Sequence, residues 1–272
     1  MQHGQMTPQR GQSFMELAIF LPVLFLMLGG MVEITLTFND YLQMLDAARY
    51  GGRSIADTNP YPVGFPTLAP PSPAGTFDPN QSSSYDSIPC EGIIVVTQTR
   101  STLNPFRVAA CNTKINLNPL IVLKTSNRAD GSANRNVCST SNTNTTPPNA
   151  YRDDIVVSMF ATTVVTSTST ITLTRFSGNT IVGSSGQLVV DSTESGWSYM
   201  NQMCSAIKTA DLLSKLLLTA PNTGFAVVEV FYNRPQTFDF PGFGDVIPNP
   251  IPMHSYVIFP LVAIEATSTP TP

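Results

Sequence analysis

Two residues near the amino terminus carry chemistry that the rest of the chain does not explain. Glu16 is a carboxylate at the mouth of an apolar run, Leu17 to Val32, that holds no charge. Upstream of it stands Gly11, preceded by Arg10, the only Lys or Arg among the first residues. A carboxylate near bilayer hydrocarbon costs about 2.5–3.5 kcal/mol on insertion scales, so it is a functional candidate by default. The bland alternative is a Glu that snorkels to water. The Gly11–Glu16 spacing favours a processing-and-assembly signature: a cut after Gly11, an anchor kept in the membrane, and helix-to-helix packing with other subunits.

The remaining inventory does not point to catalysis. Only two His occur, His3 and His254. His254 has no candidate partner nearby in the sequence, in a segment that reads as loop-like. No G-x-S-x-G is present, and Gly183-Ser184-Ser185-Gly186 reads as a turn. P-loop, dinucleotide-fold and HExxH patterns are missing too. Asp130-Gly131-Ser132 and Asp153-Asp154 are the nearest to calcium-binding fragments. Neither continues as an EF-hand loop, and both read as turns. The four cysteines, Cys90, Cys111, Cys138 and Cys204, are too widely spaced for a zinc site. They all follow the apolar run, and an even number fits two disulfides in an oxidising compartment, with three pairings open; the bland alternative is buried free thiols. The expectation is a non-enzyme with no cofactor and no metal.

Composition agrees with an extracytoplasmic protein. Of the 272 residues, 42% are hydrophobic and only 12% charged, about half the usual charged share. Net charge is -4, from 14 Lys+Arg and 18 Asp+Glu, with no basic block, so no nucleic-acid partner is expected.

The elements that must position Glu16 begin with the apolar run. Adding Phe14 before it and Ile34 to Phe38 after it reaches membrane thickness. A cleaved secretory signal needs a small-residue site after the run, and Glu33-Ile34-Thr35-Leu36-Thr37-Phe38 offers none. A plain signal anchor explains the run but not Gly11 and Glu16 together; a prepilin-type signal, cut before the run, explains all three. Arg10 sets residues 1–11 in the cytoplasm and the bulk of the chain outside, and Glu33 marks the outer membrane–water boundary. The helix continues past the membrane, with Ile34, Phe38, Tyr41, Leu42, Leu45 and Ala48 on one face. Gly51-Gly52 weakens it and Asn59-Pro60 ends it, giving a helix from about Ser13 to Asp57 that contains Pro22.

Gly11, Glu16, Leu21-Pro22 and Ala47-Ala48-Arg49-x-Gly51-x-Arg53 together resemble the TadE-like family, pseudopilins or minor pilins of the tight-adherence (Flp) branch of type IV pilus systems. The resemblance covers about the first 55 residues. It implies cleavage by a prepilin peptidase between Gly11 and Gln12. It also implies that Glu16, fifth in the mature chain, pairs with a neighbour's free amino terminus during assembly. The implied partners are prepilin peptidase, other pilin or pseudopilin subunits, the pilus assembly platform and the lipid bilayer. The implied location is single-pass in the cytoplasmic membrane, amino terminus inside, with entry into a surface pilus as a further step. Two positions depart from the common pattern: Leu17 stands where Tyr is frequent, and Gln12 is not the Phe of the main pilin branch.

The rest of the chain is expected to be β-rich. Residues 59–89 are Pro/Ser-rich and read as a linker. Strands are expected at Ile93–Thr99, Leu120–Thr125, Ile155–Thr162, Val164–Phe176, Thr180–Gly183, Gln187–Val190, Phe225–Tyr232 and Tyr256–Ile264. Residues 126–149 form a long loop. One helix is expected across Trp197, Met200, Cys204, Ile207 and Leu217-Leu218, capped by 191–195 and packed on the sheet. The fold class is then α+β: leader 1–11, helix 12–58, linker 59–89, antiparallel β-rich domain 90–266 with one packed helix, and tail 267–272. The rival reading is a signal-anchored, adhesin-like surface protein that assembles into no fibre.

Overall fold

The computed structural model describes residues 12–56, 90, 105–124, 152–165, 170–182, 187–191, 194–200, 202–215, 224–238 and 248–261. The leader, the linker 59–89, the strand expected at Ile93–Thr99, the loop 126–149, the turn at 183–186 and the tail lie outside them.

Helix α1 spans Gln12–Ala56 without a break, 45 residues, or about 67 Å at the helical rise. Its first half touches little: every large apolar side chain from Phe14 to Val32 is exposed. Those residues extend for roughly 28 Å, close to the ~30 Å hydrocarbon thickness of a bilayer. The second half is core. Met44, Ala47, Ala48, Gly51, Gly52 and Ile55 are buried, and their three- and four-residue steps make one seam. The seam differs from the expected stripe: Ala48 is on it, but Ile34 and Phe38 are 71% and 61% exposed. The large residues Ile34 and Phe38 stay outside the buried seam, and much of the contact is made by small ones.

That smallness has a direct cause. Helix α2, Pro105–Leu117, crosses α1 so closely that a Cβ on Gly51 would lie 2.0 Å from Thr113 Oγ1 and 2.9 Å from the Ala109 carbonyl oxygen. A Cβ on Gly52 would lie 1.9 Å from the Phe259 ring. The glycine pair therefore does not weaken α1, as the sequence suggests; it lets the helix seat. Sequence reading misses α2, although its buried Phe106, Ala109, Ala110, Thr113 and Leu117 carry helical spacing.

The sheet is antiparallel, with strands β1 Asp154–Val165, β2 Thr170–Val182, β3 Gln187–Val190, β4 Trp197–Ser198, β5 Gly224–Arg234 and β6 Ile251–Pro260. Five of them run in the order β3-β2-β1-β5-β6, and β4 pairs with β1 at Val156 and Val157. Central β5 is buried on both faces. Ala226, Val228 and Val230 meet the α1/α2 core, whereas Phe225, Val227 and Phe231 turn to the opposite side. There they meet Met203, Ile207 and Leu212 of the segment that ends in the short helix α3, Thr209–Leu213.

Several expectations are corrected. Val164–Phe176 is not one strand: Val165 pairs with Thr170 across a hairpin, in a Thr/Ser run with no Gly, Pro or Asn to mark a reversal. Thr180–Val182 belongs to β2, after a bulge between Ser177 and Ile181. Strand β6 starts at Ile251, earlier than the expected Tyr256. Leu120–Lys124 is not a strand, because Ile121 N–H donates to the Leu117 carbonyl (2.9 Å) and Lys124 N–H to Asp153 (2.8 Å).

The helix expected from Trp197 onward is reduced to the short α3, Thr209–Leu213; the described residues from 197 to 208 are not helical. Asp154 takes the backbone N–H groups of Met200, Gln202 and Met203 at 2.8–2.9 Å and the Ser198 hydroxyl at 2.5 Å. Those donors are unavailable for i→i−4 bonds. Glu194 and Gly196 have φ of 52° and 72°, which sharpens the turn before β4. The segment packs on the sheet as expected, but as irregular chain.

Gly51→Ala is expected to destabilise the folded chain by about 1–3 kcal/mol through overpacking. Gly30→Ala, where an added Cβ meets nothing within 4 Å, should be neutral or stabilise by up to ~1 kcal/mol. Thermal unfolding of the two variants in detergent checks this; equal melting temperatures would contradict the close α1–α2 seat.

Candidate functional site

The lower half of α1 presents Glu16 on an exposed stretch of helix, among exposed Met15, Leu17, Ile19 and Phe20. Gln12 is the first helical residue, and Gly11 lies outside the described residues. A carboxylate displayed on a bare apolar helix of bilayer length is available to a partner outside its own domain.

One cation fixes that helix to the domain. Arg234, the last residue of β5, is only 4% exposed. Its guanidinium bonds Glu33 through one arm and donates from Nε to Asp40 Oδ2 at 2.8 Å. Its other arm donates to Thr237 Oγ1 at 3.1 Å, and the Thr237 N–H donates to Glu33 Oε2 at 3.1 Å. Glu33 and Asp40 are seven residues apart, hence two turns apart on one helix face. Burial alone would lower the Arg234 pKa; its bonds to the two carboxylates outweigh this and raise it. Glu33, expected at the membrane–water boundary, is thus also the lower jaw of a clamp between helix and sheet. Higher up, Gln43 Nε2 donates to the Asn116 carbonyl at 2.6 Å, while Asp46 and Arg49 form an exposed pair.

The far face of the sheet holds a buried polar network. Arg175 on β2 lies 5.0 Å from the centre of the Phe160 ring, donates to the Ser158 hydroxyl and to the Glu194 carbonyl (2.8 Å), and faces Asp191 at 3.7 Å. Glu229 on β5, fully buried, accepts from the Ser205 hydroxyl and from the Ala206 N–H (2.9 Å), and pairs with His254 Nε2 at 3.2 Å. His254 is not isolated: it is on β6 and stacks on Phe231 with centroids 4.4 Å apart. The order is hydroxyl, carboxylate, imidazole. A nucleophile relay needs the imidazole in the middle, so this trio pins the covering segment to the sheet. Asp153-Asp154 is no turn either. Asp153 accepts from Lys124 and Asn233 N–H, and Asp154 organises residues 198–203. Burial pushes both carboxyls up, against the pull of those donors. Among the described residues, no cluster of three or more His, Cys, Asp or Glu could hold a metal.

Of the cysteines, Cys90 and Cys111 form a disulfide, Cα–Cα 5.3 Å, that ties residue 90 to α2. Cys204 is disulfide-bonded as well, and Cys138 lies outside the described residues. The sequence singled out Glu16 and the cysteines, but it missed Arg234, whose only signal is a basic residue closing an apolar strand.

One long apolar N-terminal helix, consistent with a single-pass membrane anchor, continues into an antiparallel α+β domain. Residues 11–53 match the model of a family described as TadE-like protein, and the chain therefore carries a TadE-like domain there. That family is one of structural, pilin-like proteins not known as enzymes. No curated protein and no solved structure matches the chain.

Arg234→Met leaves two carboxylates without their cation and should cost about 3 kcal/mol, as breaking a largely buried pair does. Arg234→Lys should recover only part, since an ammonium cannot reach both acids in fork geometry. Chemical denaturation reads both, and a methionine variant as stable as the parent would dispose of the clamp. Removing the disulfide with paired Cys90→Ala and Cys111→Ala changes should cost about 2–4 kcal/mol, measured the same way against the oxidised parent, in which Cys90 and Cys111 are bonded.

Proposed function

We propose that the protein is a membrane-anchored pseudopilin or minor pilin of a Tad/Flp-type pilus or a related secretion and adhesion apparatus. The observation that carries this reading is the coincidence of the TadE-like match, residues 11–53, with one uninterrupted helix whose apolar half is bare. A prepilin peptidase would cut between Gly11 and Gln12, leaving the helix in the mature chain. Glu16 would then face the new ammonium of a neighbouring subunit, where a carboxylate in hydrocarbon gains an opposite charge. Sliding of bare apolar helices past one another suits transfer from bilayer to fibre, because lipid and helix surfaces are alike apolar. The head is a large domain, which fits a minor subunit more than the bulk polymer.

Intact-mass measurement of the chain made beside a cognate peptidase should give a protein beginning at Gln12. A chain that retains Met1 would instead be a signal-anchored surface protein. Glu16→Ala should be cut as before yet enter fibres poorly; undiminished incorporation would remove the role given to that carboxylate.

A further inference from the structure

Where α1 enters the domain, a cavity of about 590 Å³ lies between the helix and the sheet, within the roughly 300–1,000 Å³ range of small-molecule pockets. Gly30, Ile34 and Phe38 line one wall at four-residue steps, and Phe238, Ile251 and Pro252 line the other. Among the described residues, most polar groups that line it are engaged within the chain: Glu33 by Arg234, Thr37 by the Glu33 carbonyl, His254 by Glu229, and Gln236 by the Pro248 carbonyl at 3.3 Å. Beside them and Tyr41, the lining is apolar. Gly30 differs from Gly51 and Gly52 in meeting no neighbour; its missing side chain opens the lower mouth of the cavity and serves no contact among the described residues.

That mouth lies within the bare apolar half of α1, about one turn below Glu33. The exposed surface runs without a break from Phe14–Val32 into Ile34 and Phe38, so the groove is continuous with the surface that faces hydrocarbon. Its helical wall, Gly29 to Tyr41, is roughly 18 Å long and rises from the bare apolar half past Glu33, so an occupant drawn from the leaflet enters at Gly30 and runs toward the domain. A helix of that length and of ~10–12 Å diameter fills roughly 1,400–2,000 Å³, far more than the cavity holds. We infer that the groove takes one acyl chain of a phospholipid from the leaflet on the domain's side of the membrane. The inference rests on the membrane-anchored reading, and a seated chain would hold the subunit at a set depth.

The test uses the full chain in nanodiscs of phosphatidylcholine that include a small fraction of phosphatidylcholine with a diazirine at the end of one acyl chain. After photolysis, adducts are mapped by mass spectrometry. Adducts are expected both on Phe14–Val32 and on Phe238 or Ile251. Gly30→Leu, which fills the mouth from an open position, should abolish the second set and keep the first; Phe238→Glu should do the same by placing charge in the path. Adducts on the span alone, or a second set unchanged in both variants, would overturn the groove and leave the anchor standing. Adducts on neither would overturn both. A second set that vanishes when discs hold one chain each would mean that two copies form the groove, and would overturn it as a lipid site of the single subunit.

Discussion

One helix carries two unlike surfaces. From Phe14 to Val32 α1 has the bare apolar surface that hydrocarbon tolerates, and from Met44 to Ile55 it is the interior of a folded domain. Between the two, at Glu33 and Asp40, Arg234 reaches from the end of β5 and ties the helix to the sheet. Besides that tie, α1 is held among the described residues by the seam from Met44 to Ile55 and by the Gln43–Asn116 hydrogen bond. The clamp and the seam together fix the exposed half of the helix to the head.

The seam and the clamp work by opposite physics. Ala47, Ala48, Gly51 and Gly52 let backbones approach until dispersion contacts are dense. Arg234 is a charge held out of water by two acids and a loop. The far face of the sheet repeats the second strategy: Asp154 and Glu229, both fully buried, hold an irregular segment by satisfying its backbone N–H and hydroxyl groups. Irregular chain can cover a sheet only if its donors find acceptors, and these carboxylates supply them.

How far the sequence foretold this follows from which information is local. The extent of α1, the α+β class, β3 and the cores of β1 and β5 were legible, because periodicity and β-branched runs are properties of neighbouring residues. Glu16 stood out because charge in an apolar run is a local anomaly. The helix expected at Trp197 failed because Asp154, more than forty residues earlier, takes its backbone donors. The glycine pair was misjudged for the same reason: in isolation Gly-Gly lowers helix stability, and only the crossing of α2 makes it a requirement. Arg234 was invisible, since nothing near it in the chain names Glu33 and Asp40.

The division of α1 into a lipid-facing half and a core half is the central claim, and nitroxide scanning tests it most directly. Single labels placed along the helix, in the membrane-reconstituted chain, are compared for relaxation by oxygen and by a water-soluble nickel chelate. Labels from Phe14 to Val32 should be reached by oxygen and not by nickel, and labels between Met44 and Ile55 by neither, with the change falling at Glu33 to Asp40. Nickel access along the lower half, or free access of either agent to the upper half, would contradict the account.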